Sequence, residues 1–101
     1  MTIELGGNII LVGFRERDPA ELIVLKKIIG NYARKYADNL TGYESLTISL
    51  KPIGGEKSKK FEVSAKLLVA GKPIASDVTE NNIFVCVSDA LKKIEKQAIK
   101  N

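Results

Sequence analysis

The chain has 101 residues, of which 45% are hydrophobic and 28% charged, which is room for one soluble globular domain over residues 1–101 with one core. Sixteen Lys and Arg against twelve Asp and Glu leave a net charge of +4, which permits a nucleic acid or an acidic surface as partner without requiring either. The absence of histidine removes the commonest catalytic base and metal ligand, and a single cysteine, Cys86, excludes an intrachain disulfide.

No apolar run approaches the roughly 20 residues that a spanning helix needs, so no membrane contact is expected. Met1-Thr2-Ile3-Glu4-Leu5 has no basic region followed by an apolar stretch, so a signal peptide is not expected either. The expected compartment is the cytoplasm.

In chain order, Ile3-Glu4-Leu5 alternates as a strand does. Gly6-Gly7 interrupts it as a bulge or turn, and the apolar run Ile9 to Val12 reads as a continuation of the same strand. Asp18-Pro19-Ala20-Glu21 marks a helix start. Asp18 can accept from a free backbone N–H, Pro19 suits the first helical position, and Glu21 can complete a capping box. Leu22, Leu25, Ile29, Tyr32, Ala33, Tyr36 and Leu40 recur at spacings of three and four, which predicts a helix to about Asn39 with one apolar stripe.

Thr41-Gly42 closes that helix. Leu46, Ile48 and Leu50 then alternate with Thr47, Ser49 and Lys51, and Phe61, Val63, Ala65, Leu67 and Val69 alternate with Glu62, Ser64 and Lys66. Both segments predict strands with one apolar face, joined by a hairpin tip at Gly54-Gly55-Glu56-Lys57-Ser58. Ala70-Gly71-Lys72-Pro73 reads as a tight turn before a short last strand at Ile74, Ser76 and Val78. From about Asn82 a second helix is expected, its core stripe formed by Ile83, Val87, Ala90, Leu91, Ile94 and Ala98. The fold class is α+β, in the order β-α-β-β-β-α. A four-stranded sheet with two helices packed on one face and a wet opposite face is expected, in the manner of double-stranded-RNA-binding domains.

A helix turns roughly 100° per residue. On the first helix this places Lys27, Asn31, Arg34 and Lys35 opposite the apolar stripe, and on the second it does the same for Lys92, Lys93, Lys96 and Lys100. Two helices on one sheet face would then present a basic, two-ridged surface, diluted by Asp38 and Asp89. Spaced cations of this kind can neutralise phosphates and release counterions. Lys57, Lys59 and Lys60 add a basic hairpin tip of the kind more often devoted to solubility than to contacts.

The chemistry-bearing patterns are missing. Cys86 stands between Val85 and Val87 as a small buried hydrophobe, with no histidine to activate it. Neither Gly6-Gly7-Asn8 nor Gly54-Gly55 with Lys57-Ser58 has the spacing of a phosphate-cradling loop. No catalytic residue, metal site, cofactor or small-molecule substrate is assigned, and the chain is not expected to be an enzyme. Tyr32, Tyr36 and Phe61 fall on core stripes, which leaves the wet sheet face without an aromatic pair for stacking bases. RNA binding, if present, belongs to the helices and is aimed at backbone or shape.

The element order and the run Asn82-Ile83-Phe84-Val85-Cys86-Val87-Ser88-Asp89-Ala90-Leu91-Lys92-Lys93-Ile94-Glu95-Lys96-Gln97 resemble the ribosome hibernation-promoting factor and ribosome-associated inhibitor family, also known as sigma-54 modulation proteins. Phe84, Val87, Asp89, Ala90, Ile94, Glu95 and Gln97 carry the likeness in the last helix, and Ile3-Glu4-Leu5-Gly6-Gly7-Asn8 resembles the family's first strand and Gly-Asn turn. The segment from Ile9 to Asp18 is longer than usual, and the ending after Gln97 is short and resembles the short form without a second domain.

The resemblance implies a stress-response translation regulator that binds small-subunit rRNA between head and body and occludes the decoding region. It implies RNA contacts at Lys27, Arg34 and Lys35 in the first helix and at Lys92, Lys93, Lys96 and Lys100 in the second. Two other readings stand beside it. One is a double-stranded-RNA-binding module, although Asn81-Asn82-Ile83-Phe84 lacks the Lys-Lys pair with which such a helix begins. The other is a protein-interaction domain without nucleic acid, in which the wet sheet face or an unpaired edge strand forms a homodimer.

Overall fold

A computed structural model describes residues 2–5, 8–15, 17–54 and 60–98. It is an α+β arrangement of one mixed sheet and two helices. The elements are β1 (Thr2–Leu5), β2 (Ile9–Val12), α1 (Pro19–Asn39), β3 (Tyr43–Ile53), β4 (Lys60–Val69), β5 (Lys72–Glu80) and α2 (Ile83–Ala98). Strands lie side by side in chain order. β2 pairs parallel with β3 through the α1 crossover, and all other pairings are antiparallel.

Strands β3, β4 and β5 are three of the four expected, and the expected first strand divides into β1 and β2. β1 and β2 pair antiparallel, with Leu5 opposite Ile9 and Thr2 opposite Val12. Asn8, at φ 62°, stands where the chain has reversed, a left-handed position that asparagine tolerates. The turn or bulge expected at Gly6-Gly7 and most of the hairpin tip expected after Gly54 lie outside the described residues.

The first helix begins and ends where its caps direct. Asp18 Oδ1 accepts from Ala20 N at 2.8 Å, and Leu40 N closes the last turn on Tyr36 O at 2.8 Å. Glu21 was expected to complete a capping box. Its carboxylate instead lies 3.3 Å from Arg17 Nε, one turn behind it, and the Arg17 guanidinium rests 5.1 Å from the centre of the Phe61 ring. A cation over an aromatic face is attractive, so Arg17 fastens the start of α1 to the start of β4.

The last turn of the sheet is tighter than its sequence suggests. Ala70 and Gly71, at φ 49° and 79°, form it alone between paired Val69 and Lys72. Positive φ at both central residues matches the right-handed twist of a two-residue hairpin. Lys72 and Pro73 therefore belong to β5, which runs nine residues and forms an edge of the sheet. Gly71 N donates to Glu44 Oε2 at 2.5 Å, and Glu44 O accepts from Asn8 Nδ2 at 2.9 Å. Glu44 sits at a register shift in β3, so one irregular residue ties both ends of the sheet's loops together.

Among the described side chains one core joins β2 to β5 and both helices. Leu46, Ile48 and Leu50 of β3 and Val63, Ala65 and Leu67 of β4 are buried, and so are Leu25, Ile29, Ala33 and Tyr36 of α1 and Ile83, Val87, Ala90, Leu91 and Ile94 of α2. Each buried Leu or Ile contributes about 1.5–3 kcal/mol relative to exposure. Both helices thus cover one sheet face. On the other face Lys51 and Lys66 are exposed, and Thr47, Ser49, Glu62 and Ser64 are half-buried.

Candidate nucleic-acid interface

The outward helical surface depends on how the two helices are fastened to each other. Tyr36 Oη donates a 2.6 Å hydrogen bond to the backbone carbonyl of Leu91 in the buried seam. At the rim of that seam Lys35 forms an ion pair with Glu95. The hydrogen bond that it donates to the Glu95 carboxylate holds the Lys35 ammonium above its ordinary pKa. The seam fixes the rotation of each helix about its axis, and therefore which residues point away from the sheet.

On α1, Lys27 and Arg34 are exposed and stand seven residues apart, two turns along the outer face. On α2, Lys92 and Lys96 are exposed one turn apart. Among the described residues, none of these four takes part in an ion pair. Spaced, solvated ammonium and guanidinium groups on adjacent ridges are suited to phosphate oxygens.

The other expected cations are placed differently. Lys35 is exposed, but its charge is answered by Glu95. Lys93 turns toward the sheet edge, where its Nζ donates to Asp77 O at 3.3 Å. Lys100 lies outside the described residues, as do Lys57 and Lys59 of the hairpin tip. Asp38 is exposed on α1, and Asp89 is half-buried on α2. Neither Glu95 nor the Asp77 carbonyl could be found by spacing along a helix: Lys35 and Glu95 meet across the seam, and Lys93 and Asp77 meet across two elements.

Beside α2 runs a groove of about 390 Å³ against β5, its charged lining formed by Asp77, Glu80, Asp89, Lys92, Lys93 and Lys96. The outward helical faces also carry apolar side chains. Ile23 is 62% exposed, Val24 45% and Val85 42%.

Phe14 and Tyr36 are fully buried, and Tyr32 and Phe61 pack partly buried against the core. Cys86 is buried, its thiol donating toward Val78 O and Phe61 O, and burial pushes its pKa up. Among the described residues no group of three or more Cys, Asp and Glu is placed to hold a metal ion. Among the described residues no helix is long and apolar enough to cross a membrane.

No family model matches the chain, and no curated protein matches it.

Proposed function

We propose that this chain is a translation inhibitor that binds small-subunit rRNA near the decoding channel through its two-helix face. The observation that carries the reading is the pair of adjacent outward ridges, with exposed Lys27 and Arg34 on one and exposed Lys92 and Lys96 on the other. The seam at Tyr36, Leu91, Lys35 and Glu95 keeps those ridges in one orientation. Binding is electrostatic anchoring to phosphates, and inhibition is steric occlusion with no bond chemistry. The sheet of β3, β4 and β5 backed by α1 and α2 supports a likeness to double-stranded-RNA-binding domains, and a lone duplex is the competing ligand. Lys35 and Lys93 contribute less than the other four, because each already has a partner.

The test is sucrose-gradient co-sedimentation with ribosomes from the source organism at low and high salt. The wild-type chain should travel with the small subunit at low salt, dissociate at high salt, and be displaced by tRNA with mRNA. Lys92→Glu with Lys96→Glu should abolish co-sedimentation while circular dichroism stays unchanged. Wild-type protein that remains at the top of a low-salt gradient ends the ribosome reading. Tight, length-dependent binding to plain duplex RNA in its place favours the duplex module.

A further inference from the structure

The outer edge of β5 is closed in an unusual way. β5 pairs with β4 on one side only, and its nine residues are long enough to template another strand. Two side chains of α2 reach over that edge. Lys93 Nζ donates to Asp77 O at 3.3 Å, and Gln97 Nε2 donates to Ala75 O at 3.2 Å. Residues two apart in a strand present their N–H and C=O on the same side, so Pro73, Ala75, Asp77 and Thr79 share the outer one. Pro73 has no N–H to offer there. Two consecutive outward carbonyls, those of Ala75 and Asp77, are therefore taken by exposed, solvated side chains of the same chain that can swing away, and the position before them has no N–H to pair.

We propose that the β5 edge is a latent pairing surface for a second copy of this chain, held shut by Lys93 and Gln97. The occupant follows from charge. Beside β5, Glu80 and Asp89 lie toward the start of α2, and Lys96, further along the helix, and exposed Lys72, at the start of β5, lie toward the other end. Antiparallel pairing about a two-fold axis sets the acidic end of one copy against the basic end of the other, so the edge is complementary to itself. The inner side of β5 is anchored independently of the lock: Ser76 Oγ donates to Ala90 O at 2.8 Å, so releasing Lys93 and Gln97 need not unseat the strand. The inference does not depend on RNA binding.

The experiment compares sedimentation velocity of the wild-type chain, the Lys93→Ala/Gln97→Ala variant, and that variant carrying Ala75→Pro, across a concentration series without nucleic acid. The double variant should self-associate about tenfold more tightly than wild type or better. Ala75→Pro, which deletes an outward N–H from an edge position where proline is tolerated, should return it toward monomer. Lys93→Met with Gln97→Met, which keeps the aliphatic stems over the edge, serves as a second release variant if the alanine form loses helicity. The same association constant for wild type and for a folded release variant overturns the proposal. So does association that Ala75→Pro leaves intact.

Discussion

Tyr36 Oη lies 2.6 Å from the carbonyl oxygen of Leu91, a contact that joins α1 to α2 across 55 residues of sequence. Both residues are fully buried, so the phenol is the polar link within an otherwise apolar seam. Tyr36→Phe should cost about 1 kcal/mol, the net value of one buried hydrogen bond, measured as a lower urea midpoint with unchanged slope.

The same residue sets a pH dependence. Burial, assisted by the nearby Glu95 carboxylate, holds the Tyr36 phenol well above its ordinary 10.0. Burial raises Tyr43 and the Cys86 thiol in the same direction. An acid whose folded pKa is raised contributes stability that is complete below its unfolded pKa and is lost as pH climbs past it. Lys35, raised by its bond to Glu95, also loses its contribution on the alkaline side, as pH rises through its folded pKa. Stability should therefore decline above about pH 9 to 10. Urea denaturation of Tyr36→Phe should show a shallower alkaline decline than wild type, and an identical decline would count against this assignment.

Gly13 has no room for a side chain. It lies at φ 83°, and a Cβ there would sit 2.2 Å from the carbonyl oxygen of Leu50, a backbone atom that cannot step aside. Gly13→Ala should destabilise the chain by about 3 kcal/mol or more, combining left-handed strain with a shift of β3. Thermal melting followed by circular dichroism would detect it, and a loss near zero would show that the β2 to α1 connection can be rebuilt cheaply.

Glu95 screens a cation that the RNA face could use. Glu95→Gln should leave stability nearly unchanged, since solvent screening leaves an exposed ion pair little net contribution. It should strengthen ribosome or RNA binding several-fold at low salt and steepen the salt dependence by about one released counterion. In the wild-type background, Lys35→Ala should weaken binding less than Arg34→Ala. Equal losses at Lys35 and Arg34 would mean that the pair opens on binding.

Cys86 provides a probe of local opening. It is fully buried, and burial raises its thiol pKa, which lowers the reactive thiolate fraction. A colorimetric thiol reagent at pH 8 should find no fast-reacting thiol in the native chain and one in denaturant. Rapid reaction without denaturant would show that the start of α2 lifts from β4 and β5.

Much of the fold is legible in the residues themselves. Asp18-Pro19 and the stripe from Leu22 to Leu40 define α1, because capping and 3.6-residue periodicity are local and self-consistent. The alternation from Phe61 to Val69 defines β4 for the same kind of reason. The two-strand reversal at the N-terminal end was hidden because a continuous apolar run, Ile9 to Val12, reads alike as a continuation or as a new buried strand. The length of β5 was hidden because Pro73 and the polar residues Asp77 and Thr79 sit on an edge, where strands need little hydrophobic signal.

The candidate cations divide along the same line. Which lysines and arginines lie opposite an apolar stripe is a property of helical spacing, and the sequence alone determined that Lys27, Arg34, Lys92 and Lys96 would face outward. Which cations would be left without a partner was decided only by tertiary structure. Lys35 meets Glu95 across a helix seam and Lys93 meets the Asp77 carbonyl across a sheet edge, and both encounters depend on packing between segments far apart in the chain. Charge is written residue by residue, but its neutralisation is a matter of distance in space, weakening as the inverse of separation and screened by salt beyond about 8–10 Å.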